Sequence, residues 1–173
     1  MSEGLITALI AAAVSAIVSL GIAYAQLHQA RVSQSIQAQQ DITDKYNLMV
    51  DYRLKRPDVL KLARLWNDQC YDLIYSQNKP DGSDWAIYYG YVELVTLYCS
   101  AVLYAKNKHL IPDDLFRAQH EPLIRLLLAE HYPIFSQIIK QDGYVSEYLV
   151  DHVRSLRDTG WDWSAAHKVL VEA

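Results

Sequence analysis

The feature that most constrains this chain is a long apolar stretch near its N-terminus. From Leu5 to Ala25 there are 21 residues without a charge, LITALIAAAVSAIVSLGIAYA. A helix rises about 1.5 Å per residue, so this stretch would be about 31 Å long, close to the thickness of the hydrocarbon core of a bilayer. The sequence therefore predicts one transmembrane helix, with Tyr24 as an aromatic anchor at the membrane interface.

A cleaved secretory signal is the other interpretation of this stretch. Ala23-Tyr24-Ala25 resembles a cleavage site with small residues around the scissile bond. The residues before the stretch, however, include Glu3 and no basic side chain, and the apolar run exceeds the usual length of about 7–15 residues. We therefore favour a permanent anchor.

Basic residues predict the orientation of the anchor. All 16 Lys and Arg residues follow the apolar stretch, beginning with Arg31. Because loops rich in Lys and Arg stay in the cytoplasm, we expect the N-terminus outside and the C-terminal domain in the cytoplasm. A reducing compartment would keep Cys70 and Cys99 as free thiols.

Small side chains recur every four residues within the predicted span. They form two ridges, which include Ala8, Ala12 and Ala16 on one and Ser15 and Ser19 on the other. Such ridges let a second helix approach closely, which favours self-association or docking on another membrane protein. The alternative is an alanine-rich helix that serves only as an anchor.

The composition divides the chain into an anchor (1–25), a juxtamembrane helix (26–56) and a soluble helical domain (57–173). Gln26 to Arg56 contains no Gly or Pro, so we expect one helix to continue out of the membrane until Pro57 ends it. No run with the alternating pattern of a strand competes with the helical patterns. The predicted fold is all-α, a single N-terminal transmembrane helix followed by a compact antiparallel helical bundle.

Residues 85–105 form the most apolar part of the soluble domain. Glu93 is their only charged residue, so the segment is either the central helix of the bundle or a second span. We favour the central helix, because a charged side chain at mid-membrane costs about 2.5–3.5 kcal/mol. Other helices are expected at 59–74, 113–131, 133–140 and 144–158, with an interruption at Pro122 and a helix end at Gly160.

Several common chemistries have no signature in the sequence. With 16 basic against 20 acidic side chains, the chain offers no cationic excess for nucleic acid. No Glu-x-x-His pair, P-loop, GxGxxG or GxSxG motif is present, and His120 and His131 lack a third ligand to form a metal site. We therefore assign no catalytic residue, no metal and no cofactor.

Four residues are candidates for binding. Glu93 and Arg125 are charges within apolar runs, and a buried charge is tolerated best as part of a hydrogen-bonded pair. They form either a structural pair between helices or a carboxylate and a cation that handle a proton or a ligand. Trp161 and Trp163 either dock on the bundle or contact a partner.

Three segments carry a resemblance to known proteins: Tyr89-Gly90-Tyr91-Val92-Glu93-Leu94-Val95, His109-Leu110-Ile111-Pro112-Asp113-Asp114-Leu115-Phe116 and Glu121-Pro122-Leu123-Ile124. Through them, residues 85–130 resemble bacterial families of unknown function that join one N-terminal span to a small helical domain. The resemblance implies a helical fold and a membrane tether. It implies no catalytic residue.

These observations favour an adaptor or accessory subunit that is anchored in the lipid bilayer and holds a protein partner through a helical surface rich in Tyr and Trp. The alternative is a membrane-active effector that forms a homo-oligomer through its transmembrane helix after a cytoplasmic signal. An enzyme ranks third, since no catalytic motif supports one.

Overall fold

The computed structural model describes residues 3–59, 61, 82–131, 135, 146–162 and 165, with side chains from Ala12 onward and, in the second helix, from Ile87 onward. All regular structure in these residues is helical, which confirms the all-α prediction. Residues 62–74 and 136–140, which belong to two further predicted helices, lie outside the described part. The elements are α1 (Glu3–Lys55), α2 (Gly82–Asn107), α3 (Asp113–Leu115), a π-helical turn (Phe116–His120), α4 (Glu121–Glu130) and α5 (Glu147–Asp158).

The chain forms two compact units, Met1–Gln37 and Ala38–Ala173. In the first unit the backbone is helical from Glu3, and every described side chain from Ala12 to Gln34 is exposed. Across the residues that the structure describes, no helix combines the length and the apolar character of a membrane-crossing segment.

From Gln26 onward, helix α1 runs to Lys55 without a break, as predicted from the absence of Gly and Pro between Gln26 and Arg56. Along its later part, Asp41 pairs with Lys45 and Asp51 pairs with Lys55 at 2.6 Å, each one helical turn apart. Acid-to-base pairs in this order support a helix modestly. The helix ends before Pro57, whose ring disfavours helical conformation at the preceding residue.

The end of α1 belongs to the core of the second unit. Ile42 and Met49 are buried, and the Tyr52 hydroxyl donates a hydrogen bond of 2.9 Å to the carbonyl of Ile87 in α2. A Cβ at Gly90 would lie 3.4 Å from the Tyr52 hydroxyl oxygen. Gly90 therefore lets the two helices meet closely at this point.

Helix α2 is the central helix of the second unit, as the sequence predicts. Its buried side chains are Tyr88, Tyr91, Val92, Val95, Tyr98, Cys99, Val102, Leu103 and Ala105. Burial raises the pKa of the Cys99 thiol to about 12, so this free cysteine is protonated and unreactive. Glu93, by contrast, is exposed, so the expectation that its charge is embedded in the core is wrong.

The helix that the sequence places after Pro112 is interrupted before Pro122, as predicted. Pro112 precedes α3, and α4 carries Pro122 in its first turn. Proline has no N–H, and its ring would collide with the carbonyl four residues earlier in a regular α-helix. The chain avoids this collision with the π-helical turn, in which the Glu121 N–H bonds to the Phe116 carbonyl.

Helices α2 and α5 end in the same hydrogen-bond pattern, a Schellman motif. After α5, the Trp161 N–H bonds to the Leu156 carbonyl at 3.0 Å, and Gly160 has a φ of 83°. After α2, the Leu110 N–H bonds to the Ala105 carbonyl at 2.8 Å, and His109 has a φ of 53°. Glycine is usual at this left-handed position, so His109 holds a strained conformation there.

Candidate functional site

A cleft of about 380 Å³ lies among the end of α2, the π-helical turn, α4 and α5. We call it the α2–α5 cleft, and all its residues belong to the second unit. Its volume falls within the range of small-molecule sites. The residues that line it are Lys106, Asp113, Phe116, Arg117, Glu121, Arg125, His152, Ser155, Leu156 and Thr159.

Phe116 forms an apolar contact surface for two polar side chains of the cleft. The Lys106 Nζ lies 4.5 Å from the centroid of the Phe116 ring, within the range of a cation–π contact. The His152 ring meets the same phenyl ring edge to face, with centroids 6.0 Å apart. Phe116 is itself buried, so it holds Lys106 and His152 in place.

Arg125 is held by an acid from its own helix and by an aromatic ring. Its guanidinium donates a hydrogen bond of 2.7 Å to Glu121, one turn earlier. The guanidinium carbon lies 6.0 Å from the centroid of the Trp161 ring, which the left-handed Gly160 directs toward the core. Arg125 and Trp161 are thus brought together. Arg125 pairs with Glu121 and not with Glu93, so the expected pair between helices does not form.

His152 is the half-buried titratable group of the cleft. Its Nε2 atom is buried and makes no hydrogen bond within the described part of the chain. Burial lowers the pKa of His152 first, and the nearby charges of Lys106 and Arg125 lower it further against the opposing effect of Glu121. The imidazole therefore favours its neutral form unless an anion enters the cleft.

The side chains that line the cleft carry more positive than negative charge. Three are cationic, namely Lys106, Arg117 and Arg125, and two are acidic, namely Asp113 and Glu121. The Glu121–Arg125 pair neutralises one of each. Among the described residues, neither Lys106 nor Arg117 forms an ion pair, so the cleft offers cationic donors to a ligand.

The cleft combines cationic side chains with an imidazole and two hydroxyls. Its described side chains include no thiol, and no group of three or more potential metal ligands occurs in the described part of the chain. Ammonium, guanidinium and imidazole groups around a half-open cavity are suited to an anion.

The exposed side of α2 is a second candidate surface. Glu93, Leu97 and Tyr104 follow at intervals of four and seven residues, which places them on one side of the helix. Leu97 is 51% exposed and Tyr104 is 47% exposed, whereas the other described side chains of α2, apart from Glu93 and Asn107, are buried or half-buried. We call this side of the helix the outer α2 face.

The remaining sequence candidates are placed as follows. Ala12, Ser15, Ala16 and Ser19 are exposed on α1, whereas Trp163 and the side chain of Ala8 lie outside the described residues. Three of the tyrosines expected at a binding surface, Tyr88, Tyr91 and Tyr98, are buried in the core.

Sequence reasoning missed Lys106, Arg117 and His152. A signal for His152 was present, because His152, Ser155, Leu156 and Thr159 recur at three and four residues and so form one side of α5. No signal in the sequence joins that side to Lys106, since the two are brought together by tertiary packing.

Comparison with known proteins gives no match: no family model fits the chain, and no curated protein and no solved structure is similar to it. The resemblance of residues 85–130 to membrane-anchored bacterial families therefore stays an expectation.

Proposed function

We propose that this protein is a membrane-anchored adaptor. Leu5–Ala25 spans the bilayer with the N-terminus outside, and the helical domain binds a protein partner on the cytoplasmic side through the outer α2 face. The observation that carries this proposal is the exposure of the first unit of the chain.

Large apolar side chains of the first unit are exposed wherever the structure describes them from Ala12 to Gln34. Between Ala12 and Ala25, five large aliphatic side chains are each more than half exposed: Val14, Ile17, Val18, Leu20 and Ile22. Removing one such side chain from water is worth about 1.5–3 kcal/mol. A bilayer would cover all five at once, and they fall within the chargeless stretch that begins at Leu5.

The same helix supports a link between tether and domain. Helix α1 starts at Glu3 and continues to Lys55, and its last part contributes Ile42 and Met49 to the domain core. An adaptor needs such a connection, because its anchor must hold the domain that binds the partner.

The outer α2 face supports the choice of the partner surface. A helix that is central to the core exposes Leu97 and Tyr104 on one side, with the carboxylate of Glu93 beside them. Lys108 lies 5.9 Å from the Tyr104 ring centroid, so the apolar patch has an acid near one end and a base near the other. Apolar and aromatic residues with a charged rim are typical of protein interfaces.

The tether is tested by alkaline carbonate extraction and by protease protection of membranes that contain the full chain. We expect the protein to stay in the pellet after extraction. In vesicles with the cytoplasmic side outward, we expect the protease to remove the domain. Release of the intact chain by carbonate, or a mature protein that begins at Gln26, would contradict the tether.

The partner surface is tested by in-membrane crosslinking of the full chain and its variants. Leu97→Asp should abolish the crosslinked complex, because it puts a charge in the centre of the patch. Leu48→Asp is the matched control, since Leu48 on α1 is 53% exposed, close to the value for Leu97. A complex that survives Leu97→Asp, or that is lost equally in both variants, would contradict the proposed surface.

The alternative function is a membrane-active effector that oligomerises through its span. The exposed small side chains of Ala12, Ser15, Ala16 and Ser19 favour it, because they permit close helix packing. Changing Ala12 and Ser19 to Leu should leave an adaptor active and should disable an oligomerising effector. Crosslinking of the chain to itself in membranes measures the difference.

A further inference from the structure

We propose that the α2–α5 cleft is a binding site for a phosphate group carried by a small molecule or a lipid headgroup. This site is separate from the outer α2 face, and the inference does not rest on the adaptor function. The contacts within the cleft carry the argument.

Three side chains that are cationic or can become so line the cleft from three different elements. Lys106 comes from α2, Arg117 from the π-helical turn and His152 from α5. Among the described residues, Lys106 and Arg117 pair with no acid, and the buried Nε2 of His152 has no hydrogen-bond partner. A phosphate in the cleft would give both cations an acceptor, and its charge would favour the protonated form of His152.

The acids of the cleft do not cancel these donors. Glu121 is engaged by Arg125 at 2.7 Å, and Asp113 is exposed at the cleft and has no ion pair in the described part of the chain. The lining side chains therefore carry a formal excess of one positive charge, three cations against two carboxylates. Asp113 would repel a phosphate that bound next to it, so we place the phosphate nearer to Lys106, Arg117 and His152.

The arrangement of the donors favours phosphate over a carboxylate. A carboxylate presents two oxygens in one plane, and a single guanidinium fork can satisfy both. A phosphate monoester presents three terminal oxygens in different directions, which suits the cations that line the cleft from three elements, Lys106, Arg117 and Arg125. The cleft volume of about 380 Å³ also leaves room for the group that carries the phosphate.

The phosphate is tested by NMR of the histidine side chains in the full chain, with the probe added as inorganic phosphate. The His152 signal is assigned with His152→Gln. In phosphatidylcholine nanodiscs we expect phosphate to shift the His152 signal and to raise its pKa, since an anion would oppose Lys106 and Arg125 and add to the effect of Glu121. The same titration in detergent micelles measures phosphate binding to the cleft whether or not the chain spans a bilayer. Failure of the tether and failure of this site are therefore distinguishable.

Matched variants show whether the response comes from the cleft. Arg117→Gln, which alters an exposed side chain, should weaken phosphate binding by about tenfold or more, the effect of one charge-assisted hydrogen bond. Lys106→Gln should act in the same direction. Lys108→Gln and Arg154→Gln remove exposed cations outside the cleft lining and should leave binding unchanged.

A second arm distinguishes the two sources of phosphate. Nanodiscs that contain phosphatidic acid replace the soluble phosphate, and the His152 signal is compared with that in phosphatidylcholine alone. A response in either arm that Arg117→Gln weakens by about tenfold or more supports the site and identifies its source. The absence of a response in both arms would overturn the proposal, as would a response that persists in both Arg117→Gln and Lys106→Gln.

Discussion

The hydroxyl of Tyr88 on α2 lies 2.9 Å from Nδ1 of His131 at the end of α4, and both side chains are buried in the core. Nε2 on the other side of the imidazole lies 3.6 Å from the carboxylate of Glu130. Burial raises the pKa of Tyr88, so its hydroxyl keeps its proton across the physiological range. This hydrogen bond joins the central helix to α4 where no solvent can replace it.

Removing that hydroxyl should destabilise the fold. We expect Tyr88→Phe to lower the free energy of unfolding by about 1–2 kcal/mol, because it removes a buried partner of His131. Urea denaturation followed by circular dichroism measures the change. Tyr104→Phe is the control, since Tyr104 is exposed and its variant should stay within about 0.5 kcal/mol of the original protein. Equal stability of the two variants would contradict the role of the Tyr88–His131 bond.

Replacing the glycine after α5 should also destabilise the domain. Gly160 has a φ of 83°, and a side chain in left-handed conformation costs about 1–2 kcal/mol. We expect Gly160→Ala to lower the free energy of unfolding by that amount, as measured by thermal or urea denaturation. Gly21→Ala is the control, because Gly21 lies within helix α1 and its new Cβ would meet nothing within 4 Å. An unchanged midpoint for Gly160→Ala would show that the turn tolerates a side chain.

At the corresponding turn after α2, a substitution should raise the stability of the domain instead of lowering it. His109 already adopts a left-handed conformation, at a φ of 53°, which destabilises the domain. His109→Gly should therefore stabilise the domain by about 0.5–1 kcal/mol, after the entropy of the added glycine is subtracted. Differential scanning calorimetry at neutral pH measures the gain. A lower melting temperature would mean that the His109 side chain contributes more than its backbone strain costs.

Two half-buried histidines predict how stability depends on pH. Burial lowers the pKa of both His120 and His152 below the ordinary value of 6.5. The unfolded chain therefore binds more protons than the folded chain as the pH falls through 6.5, and the stability that is complete above this pH is lost below it. We expect the urea midpoint to fall between neutral and mildly acidic pH.

The variants His120→Gln and His152→Gln separate the contribution of the two histidines to the pH dependence of stability from the contribution of the carboxylates. Each should flatten the fall in stability around pH 6.5, which is the ordinary pKa of the side chain that it removes. Asn107→Gln, an uncharged change at an exposed site, is the control and should leave the slope unchanged. A slope that persists in full when both His120 and His152 are replaced would contradict the assignment.

The elements of the fold were predictable where one local signal decides the outcome. Gln26 to Arg56 lacks Gly and Pro, so the helix was expected to continue until Pro57 ends it. The apolar character of residues 85–105 places α2 in the core, and Pro122 disfavours an uninterrupted α-helix. The ion pair of Arg125 was also within reach, since Glu121 stands four residues before it.

Other features depend on information that the sequence does not display. Glu93 has apolar neighbours along the chain, yet its exposure depends on which side of α2 the other helices cover. The turn after α2 has His109 and not a glycine in its left-handed position, so the sequence does not indicate a turn there. The α2–α5 cleft joins Lys106 to His152, which are 46 residues apart, and no local pattern encodes that approach.

The π-helical turn Phe116–His120 has a consequence for how this domain can change in evolution. A π-helical turn holds one residue more than an α-helical turn, so it absorbs an inserted residue without changing the register of the helix that follows. Deleting a single residue between Phe116 and His120 would therefore restore an α-helical turn and leave the same side of α4 toward Trp161. Pro122 would then lie inside a regular α-helix, where its ring collides with the carbonyl four residues earlier, so the deletion is tolerated only together with a replacement of the proline.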